Sequence, residues 1–167
     1  MNETISTTRQ TTALTSRDLK LHYLGHRSLT KKLLEAFPEK EFFNFSIGGM
    51  RTAAELTAEL LAIGYPGINE IVTGKTEDLN EAISFGESKA KAIQLWEESS
   101  EKIAELWDKI SEEKFNEEII AFGKYPGKVW SIIAYYIDNE IHHRAQMYVY
   151  LRALGIEPPA FYDRSNG

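Results

Sequence analysis

The sequence predicts an all-α fold, a four-helix bundle with long crossover connections. Two observations carry that prediction. Four segments repeat apolar residues at three- and four-residue spacing, the period of a helix with one buried face. The stretches between the first and second and between the third and fourth are too long for the tight hairpins of a simple up-and-down bundle.

The first helix is expected from about Ser16 to Phe37, with Leu19, Tyr23, His26, Leu29, Leu33 and Leu34 on one face. Thr15 or Ser16 can cap its start, Asp18 faces the positive end of the helix dipole, and Pro38 marks the stop. Residues 38–50, aromatic and ending near a Gly-Gly pair, read as a packed loop. Thr52 followed by Glu55 forms a capping-box pattern and opens a second helix through Leu56, Leu60 and Ile63. Gly64, Pro66 and Gly67 are expected to break or kink it.

Residues 74–86 read as a linker with room for a short helical turn. A third helix follows from about Glu87 to Ile110, its stripe made by Ile93, Trp96, Ile103, Leu106, Trp107 and Ile110. In the next connection, Asn116 to Phe122 can be extended. The last helix, from about Lys128 to Leu154, is the most apolar, and GIEPP ends it through a left-handed Gly155 and a Pro pair.

The 167 residues suit one domain, residues 15–167, after a polar, Thr-rich tail over 1–14. A net charge of −6 disfavours phosphate backbones and anionic membranes, which require clustered Lys and Arg. No apolar run approaches the roughly 18 residues a bilayer requires, and no secretion signal opens the chain, so no membrane partner and a cytoplasmic setting are expected. With no cysteine, any thiol chemistry would need the thiol from a cosubstrate.

The residues that can carry chemistry lie in DNEIHHRAQMYVYLRALG. The apolar stripe of the last helix places His143 inward, and Asn139, four residues earlier, shares its face; Glu140 lies three residues from His143 on the same side. Burying such groups costs roughly 1–3 kcal/mol each unless they are paired. Spacing alone allows either a hydrogen-bonded histidine that ties helices together or a metal or catalytic site.

The stretch DNEIHHRAQMYVYLRALGIEPP resembles the terminal signature of the DinB family, and RTAAELTAEL resembles the start of that family's second helix. The resemblance covers the chain from about residue 16 and implies a DinB-like bundle with a three-histidine metal site, one ligand on the second helix and two on the last. By that correspondence His143 matches the final ligand, while Asn139 and Glu59 stand where the family carries the other two histidines. A divalent ion held by Glu59, Asn139 and His143 (zinc, nickel, manganese or iron) and a metal-free hydrogen-bond network of the same residues are the two expectations.

The enzyme reading that the resemblance implies is a metal-dependent transferase using a small-molecule thiol, or a hydrolase, with Glu140 as a base or supporting residue acting on a small-molecule substrate. Its alternative is a non-catalytic bundle that kept the fold while its metal site changed and that binds a small molecule or a partner protein. In both, a homodimer is expected through the aromatic last helix, with Trp130, Tyr135 and Tyr148.

Among the remaining polar residues, His22 and His26 share one face of the first helix, read as exposed and core-edge respectively. Asp138 is spaced to pair with His142, and Arg144 reads as an ion-pair residue between helices.

Overall fold

A computed structural model describes residues 14–165. Of the expected tail, all but Leu14 lies outside the described residues. Four long helices form the body: α1 (Ser16–Ala36), α3 (Ala53–Thr73), α4 (Lys89–Trp107) and α5 (Val129–Ala153). A short α2 (Glu39–Asn44) follows α1, and a 3-10 turn (Glu113–Asn116) with a hairpin, β1 (Glu118–Ala121) and β2 (Tyr125–Lys128), precedes α5.

Local chemistry sets the helix ends. Thr15 and Asp18 form a capping box at α1, and Thr52 and Glu55 form another at α3, each satisfying two N–H groups that the first turn leaves free. Ser88 caps α4. At the end of α5, Gly155 adopts φ +75°, and the Ile156 N–H reaches back to the Leu151 carbonyl, a Schellman closure.

Three expectations about the connections change. Residues 39–44 are helical because Phe42 is buried against Phe37 and Phe85, a tertiary contact that stabilises a segment too short to form alone. Residues 74–86 contain no helical turn. Of the break or kink expected at Gly64, Pro66 and Gly67, no break occurs: α3 runs continuously to Thr73 with Pro66 inside it. The glycines instead permit close approach of other elements. A Cβ on Gly67 would sit 2.5 Å from Cε2 of Tyr136 on α5, and one on Gly64 would sit 3.2 Å from Nη1 of Arg27 on α1.

The expected extended stretch is β1, paired antiparallel with β2 in the register Glu118↔Lys128 to Ala121↔Tyr125. Glu70 of α3 pins this hairpin, its carboxylate accepting from the Phe122 N–H at 2.9 Å. Phe122 itself adopts φ +52°, an unusual value for a residue with a Cβ, held by that bond and by burial of its ring beside Tyr136.

Helices α1 and α3 each pack mainly against α4 and α5. Consecutive long helices α1 and α3, and likewise α4 and α5, therefore lie across the bundle from one another, which is why the connections joining them are long. The apolar core falls into two halves. One gathers Leu33, Phe42, Leu60, Trp96, Met147 and Leu151; the other gathers Tyr23, Ile63, Ile103, Trp107, Ile133 and Tyr136. Between them runs a belt of buried polar side chains, to which α1 gives His26, Arg27 and Thr30 and α5 gives Asn139, Glu140, His143 and Arg144. No helix among the described residues is long and apolar enough to cross a membrane.

Candidate functional site

The polar belt divides into two clusters because α5 advances about 100° per residue. Asn139 and His143 share one stripe and face α3, while Glu140 and Arg144 share the next and face α1.

On the α3 side, Oε1 of Glu59 accepts from Nδ2 of Asn139 at 3.2 Å and meets Nε2 of His143 at 3.0 Å. The other ring nitrogen of His143, Nδ1, meets Oε1 of Gln146 at 2.9 Å, so both nitrogens are engaged and the ring is fixed. The second oxygen of Glu59 is paired with the Arg51 guanidinium, which also lies 3.5 Å from Glu81. The Arg51 backbone is tied in turn to α5, its carbonyl accepting from the Tyr150 hydroxyl at 2.8 Å. Burial works to raise the Glu59 carboxyl, but Arg51, His143 and Asn139 outweigh it and hold the group below the usual carboxylate range.

Three of the four site residues expected from the sequence, Glu59, Asn139 and His143, thus converge. The fourth, Glu140, does not join them. It points to α1, where it accepts from the Thr30 hydroxyl at 2.6 Å and pairs with Arg27 at 3.8 Å and Arg144 at 3.5 Å. Burial pushes its carboxyl up, against the pull of Arg27, Thr30 and Arg144. Arg144 spans the helices as expected, though by hydrogen bonds rather than an ion pair across them. It donates to the Thr30 hydroxyl at 3.1 Å, and its Nη2 lies 2.8 Å from Nδ1 of His26.

His26 is fully buried rather than at the core edge, and its Nε2 lies 3.3 Å from that of His22, which is exposed as expected. The expected Asp138–His142 pair is replaced by a contact of His142 with Gln146 at 3.4 Å.

Arg51, Glu81 and Gln146 were not singled out from the sequence. Gln146 sits three residues after His143, a spacing that could have drawn attention to it. Arg51 lies before the N-cap of α3 and reaches its partner eight residues on by folding back over the first turns, a contact no periodic pattern announces. Glu81 belongs to an irregular connection and carries no local signal at all.

A divalent ion at this place would need several deprotonated donors aimed at one point. Glu59 and His143 are two candidates, and among the described residues no group of three His, Cys, Asp or Glu side chains is arranged to hold an ion. Asn139 adds only a neutral amide. The guanidinium of Arg51 already brings positive charge to Glu59, where an ion would have to compete with it. As arranged, these residues do not fit a divalent ion.

Next to Glu59 opens a pocket of about 310 Å³, walled by Phe122, Tyr125, Tyr135 and Tyr136, with Glu59 and Glu81 at its polar side. The hairpin and the 74–88 connection complete it, which gives both irregular segments a place in the site.

The family model of the DinB family matches residues 9–166, nearly the whole chain. The chain belongs to the DinB family. This DinB-family chain is 25% identical over 153 residues to the protein YjoA of Bacillus subtilis strain 168, a match covering 89% of this chain and 97% of that one. Its fold is similar to that of a DinB-like protein from Bacillus cereus ATCC 10987, with a TM-score of 0.72 and 16% identity over 87% of this chain and 97% of that one. The crystal structure of YjoA from Bacillus subtilis is also similar, with a TM-score of 0.70 and 21% identity over 88% and 99% of the two chains. These likenesses establish the DinB-like helical bundle as the fold.

Proposed function

We propose that this DinB-family bundle works without a metal, as a small-molecule-binding protein whose pocket lies beside the Arg51–Glu59–His143 network. The observation that carries the reading is the guanidinium of Arg51 on Glu59, on the far side of the carboxylate from His143. A fixed cation supplies there the charge compensation that an ion would otherwise provide, and it leaves no open coordination position. Glu59, held by Asn139 and His143 behind it, then gives the adjoining aromatic pocket a polar side, and the pocket supplies the space for a ligand. The network holds α3 to α5, so occupancy of the pocket is felt by both helices.

The reading takes the protein as cytoplasmic and as a homodimer, joined through the apolar side chains that α5 leaves exposed, including Trp130 and Val149. Thermal unfolding with and without a strong chelator tests the metal-free claim. The midpoint is expected to stay unchanged on chelation and on addition of one equivalent of zinc, nickel, manganese or iron. A rise of several degrees with any of these ions would overturn it in favour of the metal-dependent transferase or hydrolase.

A further inference from the structure

The pocket beside Glu59 has a lopsided chemistry. Its walls are aromatic: Phe122 and Tyr136 are buried at the back, while Tyr125 and Tyr135 are about half exposed at the mouth. The charged side chains that line it, Glu59 and Glu81, are both carboxylates, and no Lys or Arg contributes to the lining. The nearby guanidinium, Arg51, does not line the pocket and is shared between the two carboxylates. Aromatic faces and a lining whose only charged side chains are carboxylates both favour a cation. The ring quadrupole attracts positive charge to the ring face, and Coulomb attraction strengthens where water is partly excluded.

The geometry points to an organic cation as the ligand: we infer that this pocket takes a compound with an ammonium head set toward Glu59 and Glu81 and an apolar, ring-sized body against Tyr135, Tyr136 and Phe122. The inference rests on the metal-free reading above and adds the ligand class. At about 310 Å³ the pocket is at the small end of ligand sites, which limits the body to one ring or a short chain. Carboxylic acids and phosphorylated compounds are disfavoured by the two carboxylates of the lining. Glu81 sits on the irregular 74–88 connection, and Arg51 bridges it to Glu59.

The test uses three probes of similar shape and different charge: 2-phenylethylammonium, 2-phenylethanol and phenylacetate. Each is titrated into the untagged full chain treated with chelator, and amide shifts are followed by NMR. The ammonium probe is expected to bind with shifts centred on residues 121–125 and 131–136, and phenylacetate to bind at least about tenfold more weakly. Glu81→Gln, a change at a half-exposed side chain that leaves the core intact, is expected to weaken the ammonium probe by about two- to fivefold without affecting 2-phenylethanol.

Ser131→Trp, which fills the mouth from an exposed position, is expected to abolish all binding there. Equal binding of the ammonium and neutral probes overturns the cation inference while leaving the metal-free reading in place. Binding of all three probes only after a divalent ion is added overturns both. Absence of binding with and without ions overturns the pocket as a site for ring-sized cations.

Discussion

Lowering the pH should weaken the bundle at a single buried residue, His26. Its Nδ1 faces Nη2 of Arg144 at 2.8 Å, and because a guanidinium can only donate, that nitrogen must carry a free lone pair. Protonation would set an N–H against the guanidinium inside the core. Burial, then the positive charge of Arg144 and Arg164, and His22 beside it, together push the imidazole down to about 3, against an ordinary value of 6.5.

With the folded value depressed, the unfolded chain binds a proton below pH 6.5 that the folded chain refuses. Stability is full above pH 6.5 and is lost as the pH falls toward 3. Between pH 7 and 4.5 the loss from this one residue is about 2.7 kcal/mol, at about 1.36 kcal/mol per pH unit over the two units below 6.5. That corresponds to roughly 5–11 °C in the melting midpoint for a chain of this size.

The assay is urea unfolding by circular dichroism at pH 7 and 4.5, on the natural chain and on His26→Gln, which keeps an acceptor for Arg144 and does not titrate. The natural chain should lose about 2.7 kcal/mol more than the variant over that interval, the carboxylates being common to both. Equal losses, within about 0.5 kcal/mol, would refute the assignment of His26 as a buried neutral acceptor.

Three further outcomes follow from the same contacts. Glu140→Gln should cost about 3 kcal/mol in equilibrium unfolding, because Arg27 and Arg144 would lose their buried counter-charge; a change under about 1 kcal/mol would mean the charges are already neutralised otherwise. Gly67→Ala gains about 1 kcal/mol of helix propensity but places a methyl 2.5 Å from the Tyr136 ring, so a net loss of about 1–2 kcal/mol is expected in the same assay. Light scattering at micromolar concentration should give twice the 19.0 kDa chain mass, and a monomer would remove the dimer from the proposal.

Legibility of the fold in the sequence followed the range of the interactions involved. The starts of α1 and α3 and the stop after α5 are encoded within four residues, by Thr15 with Asp18, Thr52 with Glu55 and Gly155 before a Pro pair, so local chemistry suffices to place them. The short helix α2 depends on Phe42 reaching Phe37 and Phe85, and Phe85 is more than forty residues away in sequence. The seating of Tyr136 and Arg27 where the α3 glycines lack a Cβ is equally a long-range contact, between α3 and the helices packed on it.

In the site, helical spacing brought Asn139 and His143 together, and the family resemblance brought Glu59 to them. Glu140, three residues from His143, lies about 60° off its stripe, enough to face α1 instead of α3. Arg51 and Glu81, which decide the charge balance, come from segments without periodicity and could be found only in three dimensions.

Arg51 stands where an ion's charge would otherwise be needed. Metal content by mass spectrometry, on untagged protein reconstituted with zinc and manganese, addresses it directly when the natural chain is compared with the double variant Arg51→Ala/Asn139→His. The variant removes the competing guanidinium and restores an imidazole beside Glu59 and His143. No stoichiometric metal is expected in the natural chain and about one ion per chain in the variant. One tightly held ion per natural chain, lost in Glu59→Ala and His143→Ala, would contradict it.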